Sequence, residues 1–142
     1  MRHLKIDHLG IAVSSIVEAS RAWEALGFQV EERHEVPTEK VRVAFLPVGE
    51  ARLELLEPTD PSSAVARFLE RRSGLHHVCV LVDDIERALA ELRARGVRVL
   101  DEAPRVGAGG CRVAFVHPEA ASGVLLELKE AAREDEAGGG AR

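Results

Sequence analysis

The chain repeats itself. Displaced by 69 positions, the segment from His8 to Val30 meets the segment from His77 to Val99 without a gap. His8, Val13, Ile16, Ala19, Ala25, Gly27 and Val30 recur as His77, Val82, Ile85, Ala88, Ala94, Gly96 and Val99. Further on, Arg42-Val43-Ala44-Phe45 recurs as Arg112-Val113-Ala114-Phe115, and Leu53-Glu54-Leu55 as Leu126-Glu127-Leu128. The matches keep their order while the offset drifts from 69 (His8 to His77) to 73 (Leu53 to Leu126), as changes in loop length produce. Three matches in register point to two copies of one supersecondary unit, neither able to bury its apolar face alone.

Each copy reads as strand, helix and three strands. Ile6–Val13 alternates and is rich in β-branched residues, the pattern of a strand. Ser15 with Glu18 three residues later forms a capping box for a helix to about Leu26, and Gly27 ends it. Strands are predicted at Phe28–Val36, Val41–Pro47 and Arg52–Glu57. In the second copy Leu75–Val82 is a strand, Asp84 caps a helix to about Arg95, and Gly96 stops it. Val97–Glu102, Cys111–His117 and Gly123–Lys129 complete the set. The expected organisation is one domain over 1–130, with a module at 5–57, a second at 75–129 and a linker at 58–74. In the linker, Ser62 or Ser63 caps a helix over Ala64–Arg72. The tail, 131–142, has no apolar period and reads as disordered.

Composition narrows the function. With 142 residues, 46% apolar and 30% charged, the chain has the balance of a globular domain. Acids outnumber bases 24 to 19, for a net charge of −5, which disfavours a nucleic-acid or anionic-membrane surface. No apolar run approaches the roughly 18 residues of a membrane span, and Met1–Asp7 is too short and polar for a signal-peptide core. Two cysteines, Cys79 and Cys111, make no disulfide framework, so a cytoplasmic location is expected. There is no P-loop, GxGxxG, GxSxG or CxxC.

Strand periodicity places His8 and His77 near the start of each copy's first strand, on the face away from the helix. Glu54 and Glu127 sit inside each last strand, between leucines. If the copies pair about a pseudo-two-fold axis, two imidazoles and two carboxylates converge. That donor set suits Co2+, Mn2+, Ni2+, Fe2+ or Zn2+. Taken singly, each of the four is an ordinary solvated or hydrogen-bonded strand residue.

Several segments carry a resemblance: Ile6-Asp7-His8-Leu9-Gly10-Ile11-Ala12-Val13, Leu53-Glu54-Leu55-Leu56-Glu57-Pro58, Gly74-Leu75-His76-His77-Val78 and Gly107-Ala108-Gly109-Gly110-Cys111-Arg112-Val113-Ala114-Phe115-Val116-His117-Pro118, with Gly123-Val124-Leu125-Leu126-Glu127-Leu128. The sequence resembles the vicinal oxygen chelate (glyoxalase/bleomycin-resistance) superfamily over about residues 5–130 and, within it, the methylmalonyl-CoA epimerase family. The resemblance implies an α+β fold of two tandem βαβββ modules forming a curved sheet cleft, usually as a homodimer. It implies metal ligands at His8, Glu54, His77 and Glu127, with His76 the neighbour of a ligand, and a divalent metal, Co2+ first and Mn2+, Ni2+ or Zn2+ as alternatives. The implied substrate is an acyl-CoA, epimerised at C2 between the (2R) and (2S) forms of methylmalonyl-CoA.

The implied chemistry is proton transfer next to a thioester carbonyl. Glu127 matches the family's catalytic glutamate. A second base is needed on the other face of C2. One branch of the family carries a glutamate where this chain has Val43, a departure from the pattern. Glu54 is the expected substitute, because it is related to Glu127 by the repeat; Glu39 and Glu50 are alternatives. Gly107, Ala108, Gly109 and Gly110 would offer backbone N–H groups to the substrate carboxylate, with Arg112 beside them. Arg105, Arg71, Arg72 and Lys129 are further candidates for the CoA phosphates. Glyoxalase I shares the His/Glu/His/Glu ligands and is the nearest competing reading. A metal-free drug-binding protein on the same fold is another, and a dioxygenase a weaker third.

Overall fold

The computed structural model describes residues 1–132, so most of the expected tail lies outside the described residues. Eight strands and three α-helices follow in order: β1 (His3–Ala12), α1 (Ile16–Ala25), β2 (Arg33–Val36), β3 (Val41–Val48), β4 (Ala51–Pro58), α2 (Ala64–Leu69), β5 (Gly74–Val82), α3 (Ile85–Ala94), β6 (Arg105–Val106), β7 (Arg112–Val116) and β8 (Leu126–Glu130). The fold is α+β, of two tandem βαβββ modules. No described helix is long and apolar enough to cross a membrane. By backbone contacts the chain divides into His8–His77 and a second unit made of Met1–Asp7 with the chain from Val78 on.

In the unit His8–His77, β1 runs parallel to β4, and β4, β3 and β2 form an antiparallel meander. Ser15 caps α1 by accepting from Glu18 N at 3.2 Å, a contact worth about 1 kcal/mol. Gly27 follows the helix at φ +98°, a conformation costly for any residue with a Cβ. Helix α1 lays Ile16 on Ala44, Leu46 and Leu55. On the opposite sheet face Ala12, Val41, Val43 and Leu56 pack with Val65 of α2. Ser63 caps α2, but the helix ends at Leu69, short of the expected Arg72.

In the other unit, β5 runs parallel to β8, and β8, β7 and β6 are antiparallel. Asp84 caps α3 through Arg87 N at 3.0 Å. Ile85, Ala88 and Leu89 pack on Val82, Ala114, Val116 and Leu128. Buried Ala131 continues the chain past β8 by donating to the Val82 carbonyl at 2.9 Å.

The two copies share their register. In the first, Glu54 lies opposite Gly10 on one side and Phe45 on the other. In the second, Glu127 lies opposite Cys79 and Phe115, the equivalent positions. A structural network repeats as well. Glu57 accepts from Ile16 N at the start of α1 and pairs with Arg42. Glu130 accepts from Ile85 N at the start of α3 and pairs with Arg112.

Three predicted strands are shorter or missing. Of Phe28–Val36 only Arg33–Val36 is strand. Glu31 N donates to Phe45 O and Phe45 N to Glu32 O, so two residues oppose one, as in a β-bulge. Val97–Glu102 forms a single bridge, Val99 to Val116. The Asp101 carboxylate takes the Phe115 N–H at 2.7 Å, and a side chain thus replaces the ladder carbonyl. The last strand starts at Leu126 instead of Gly123, because Ser122 (φ +57°) and Gly123 (φ +85°) turn the chain first.

Candidate metal centre

The unit His8–His77 brings three of the four expected ligands together. His8 is on β1, Glu54 on β4 and His77 on β5, and all three are buried. His8 Nε2 lies 3.0 Å from His77 Nε2. The rings meet edge to face, with centroids 5.1 Å apart. His8 Nδ1 lies 3.2 Å from Glu54 Oε2. His77 Nδ1 lies 2.9 Å from Nδ1 of His76. One set of tautomers satisfies these contacts: His8 donates from Nδ1 to Glu54, His77 donates from Nε2 to His8, and His76 donates from Nδ1 to His77.

Two side features shape the site, and both were missed from sequence. Gly10 leaves room for the His77 ring; a Cβ there would stand 2.2 Å from His77 Cε1. Its signal was visible, since Gly10 interrupts an apolar strand two residues after His8, and a strand glycine often marks close approach. Arg52 grips Glu54 Oε2 through Nε and an Nη, both at 2.8 Å, and its guanidinium lies 4.8 Å from the Phe45 ring centroid. Arg52 is two residues before Glu54 on one strand, and so shares its face. This cation offsets the cost of a buried carboxylate.

The donor set fits a borderline divalent metal. Two nitrogens bound at about 2.1 Å and at right angles stand about 3.0 Å apart, the separation seen between the two Nε2 atoms. Glu54 approaches His8 from the Nδ1 side, the position from which a carboxylate orients a ligating imidazole.

Within its own unit, Glu127 is buried on β8 between Phe115 and Cys79. Val43 is buried on β3 opposite Leu56. Glu39 is partly buried and Glu50 exposed. The glycine segment folds as a short 3-10 turn over Ala108–Gly110. Gly107 N donates to Cys111 O at 2.8 Å, and Gly109 (φ +75°) and Gly110 (φ +79°) adopt left-handed backbone. Three of the basic candidates are engaged. Arg112 pairs with Glu130 and Glu86, which raises its pKa; Arg105 pairs with Asp101, and Lys129 with Asp7. Arg112 therefore does in its module what Arg42 does in the other. Cys79 is a buried thiol and Cys111 a partly buried one, and neither forms a disulfide among the described residues. His117 caps a 3-10 turn, Pro118–Ala121, through Glu119 N.

Residues 7–115 match the Glyoxalase/Bleomycin resistance protein/Dioxygenase superfamily. The mitochondrial methylmalonyl-CoA epimerase of Homo sapiens is 37% identical over 89% of this chain and 74% of its own length. A crystal structure of methylmalonyl-CoA epimerase from Mycobacterium tuberculosis superposes with a TM-score of 0.84 at 34% identity, covering 94% of this chain and 91% of that one. A methylmalonyl-CoA epimerase in complex with methylmalonyl-CoA and NH4+ gives 0.86 at 36% identity, covering 92% and 96%. The chain belongs to the glyoxalase/bleomycin resistance protein/dioxygenase superfamily and, within it, to the methylmalonyl-CoA epimerase family of isomerases.

Proposed function

We propose that this chain interconverts (2R)- and (2S)-methylmalonyl-CoA by removing and returning the C2 proton through an enolate. The observation that carries the reading is the buried His8–His77 pair with Glu54 at its side, and a second buried glutamate, Glu127, in the same register of the repeat. His8, His77 and Glu127 would hold a divalent metal, Co2+ first and Mn2+, Ni2+ or Zn2+ as alternatives, with Glu54, the fourth ligand expected from sequence, orienting His8 from its Nδ1 side. When bound, such an ion supplies Lewis-acid stabilisation of the charge that develops on the thioester oxygen.

The protein's own groups handle the proton. Glu127 takes it from one face of C2, and a carboxylate on the other face returns it. Glu54 is the choice for that second group, since it alone is repeat-related to Glu127 and buried. Of the expected segment Gly107, Ala108, Gly109 and Gly110, the N–H groups of Ala108 and Gly109 would receive the substrate carboxylate, since Gly107 N and Gly110 N donate to Cys111 O and Gly107 O. Arg112 stays with Glu130 in this reading, because it holds the carboxylate that accepts from Ile85 N at the start of α3. We place the protein in the cytoplasm as a homodimer, with no nucleic-acid or membrane partner. The domain organisation is that of one unit over 1–130 with modules 5–57 and 75–129.

Epimerisation of (2S)-methylmalonyl-CoA in D2O tests this, with chelator and then with added Co2+. Inversion with deuterium uptake at C2 only when metal is present is the expected result. Absence of exchange under every metal would overturn the reading. Turnover of a glutathione hemithioacetal instead would favour glyoxalase I, and ligand binding without metal or turnover would favour a drug-binding protein.

A further inference from the structure

Three histidines stand in series. His76 and His77 are neighbours on β5, and His8 is on β1. His76 Nδ1 lies 2.9 Å from His77 Nδ1, and His77 Nε2 lies 3.0 Å from His8 Nε2. Successive rings meet edge to face, with centroids 5.2 and 5.1 Å apart and an interplanar angle of 86° in both pairs. At one end His8 Nδ1 faces Glu54 Oε2 at 3.2 Å. At the other, Phe68 of α2 meets the His76 ring edge-on, 5.0 Å between centroids. His8 and His77 are buried and His76 is half-buried.

A neutral imidazole carries one N–H and one lone pair, so each nitrogen–nitrogen contact needs one donor and one acceptor. The Glu54 carboxylate only accepts. The His8 proton is therefore on Nδ1, and His8 Nε2 accepts from His77 Nε2. His77 Nδ1 then accepts from His76 Nδ1. One carboxylate thus sets the direction of every bond in the series. A cation held between the two Nε2 atoms needs a lone pair on both. His8 presents its lone pair already. His77 can do so only with its proton on Nδ1, and that proton needs an acceptor on His76. Partners of this kind fix the tautomer of a ligating histidine.

We infer that His76 is the positioning residue that turns His77 into a ligand, by reversing the hydrogen bond between them when the centre is loaded. His76 passes its Nδ1 proton across the 2.9 Å contact to His77 Nδ1 and takes a proton from water at Nε2. His77 releases its Nε2 proton to water. Both rings stay neutral, and no proton is gained or lost overall. The inference rests on the proposed metal centre for the loaded state, and on the bond pattern alone for the metal-free state. Imidazole 15N–1H correlation spectra of the full chain, with chelator and then with equimolar Zn2+, test it; this ion has no redox chemistry and a filled d shell. The expected result is His76 protonated on Nδ1 in the metal-free chain and on Nε2 in the loaded one. His77 should change from Nε2–H to Nδ1–H, while His8 keeps its proton on Nδ1. His76→Leu should weaken Zn2+ binding by about tenfold or more; should that variant not fold, the wild-type spectra decide. A His76 ring that keeps its Nδ1 proton in the loaded chain overturns the inference, as does unchanged Zn2+ affinity in His76→Leu. If Zn2+ leaves the His8 and His77 signals unmoved, the metal centre itself falls, and the reversal with it.

Discussion

His8 Nε2 and His77 Nε2 face each other at 3.0 Å from two different strands, buried and with no side chain between them. Two imidazoles so placed share one proton or one cation, because two ring N–H groups cannot point at each other.

Added Co2+ should raise the melting temperature of the chain and chelator should reverse it. A ligand at about 100 times its Kd stabilises by about 2.7 kcal/mol. His8→Ala or His77→Ala should remove most of this shift, as read by differential scanning fluorimetry. An unaltered Co2+ response in both variants would place the metal elsewhere.

Gly10→Ala should displace the His77 ring, since the new Cβ meets Cε1 at 2.2 Å and the neighbouring ring atoms at 2.5 and 2.7 Å. Overpacking of this kind costs about 1–3 kcal/mol. Chemical denaturation would measure that cost, and Co2+ titration should show weakened affinity. Wild-type affinity in the variant would mean that the ring has another stable position.

Glu127→Gln should keep the fold and lose solvent deuterium exchange at C2 by about 10²-fold or more, the usual scale of general acid–base catalysis. Glu54→Gln should lose less exchange in one stereochemical direction than in the other if it serves one face of C2. Equal small effects in both variants would exclude the two-carboxylate relay.

Arg52→Met leaves Glu54 buried without the guanidinium that holds both of its hydrogen bonds to Oε2. Stripping one partner from a buried pair costs about 3–5 kcal/mol, less where one member reaches solvent as Arg52 does. The double variant Arg52→Met/Glu54→Leu should recover much of the loss. Urea melts of the single and double variants check the coupling.

Asp60 accepts from the Ser62 hydroxyl and backbone N–H at 2.6 and 2.8 Å, and these bonds hold its pKa below the ordinary carboxylate value. A depressed folded pKa adds stability that is present above the unfolded pKa. It is lost as pH falls through the folded value. Asp60→Asn should flatten that part of the acid limb, and a carbon-detected NMR titration should find the Asp60 midpoint below that of an unstructured aspartate. A midpoint at the ordinary value would show that the turn over Asp60–Ser63 opens in solution.

How far the sequence reaches can be read off particular residues. Ser15 and Asp84 cap the helices they were expected to cap, Ser63 of the two serines offered caps α2, and Gly27 and Gly96 end two helices, because caps and left-handed glycines act over a few neighbouring residues. Strand alternation placed His8, Glu54 and Ala12 on the face away from α1, since the period of two is local geometry. The repeat carried more: equal positions in the two copies hold the same residue type in the same strand register, as Glu54 and Glu127 do. What the sequence alone could not decide depended on atoms distant along the chain. The bulge opposite Phe45 and the Asp101 bond to Phe115 N shortened or removed predicted strands, because a ladder carbonyl competes with whatever partner the fold brings near. Arg52 closed on Glu54, and Arg112 went to Glu130 instead of an open loop, because charges pair with the nearest opposite charge in space. Chain order alone thus specified the donor types and their faces. Only packing across strands set His8 and His77 at 3.0 Å, with Gly10 leaving the space in which their rings meet.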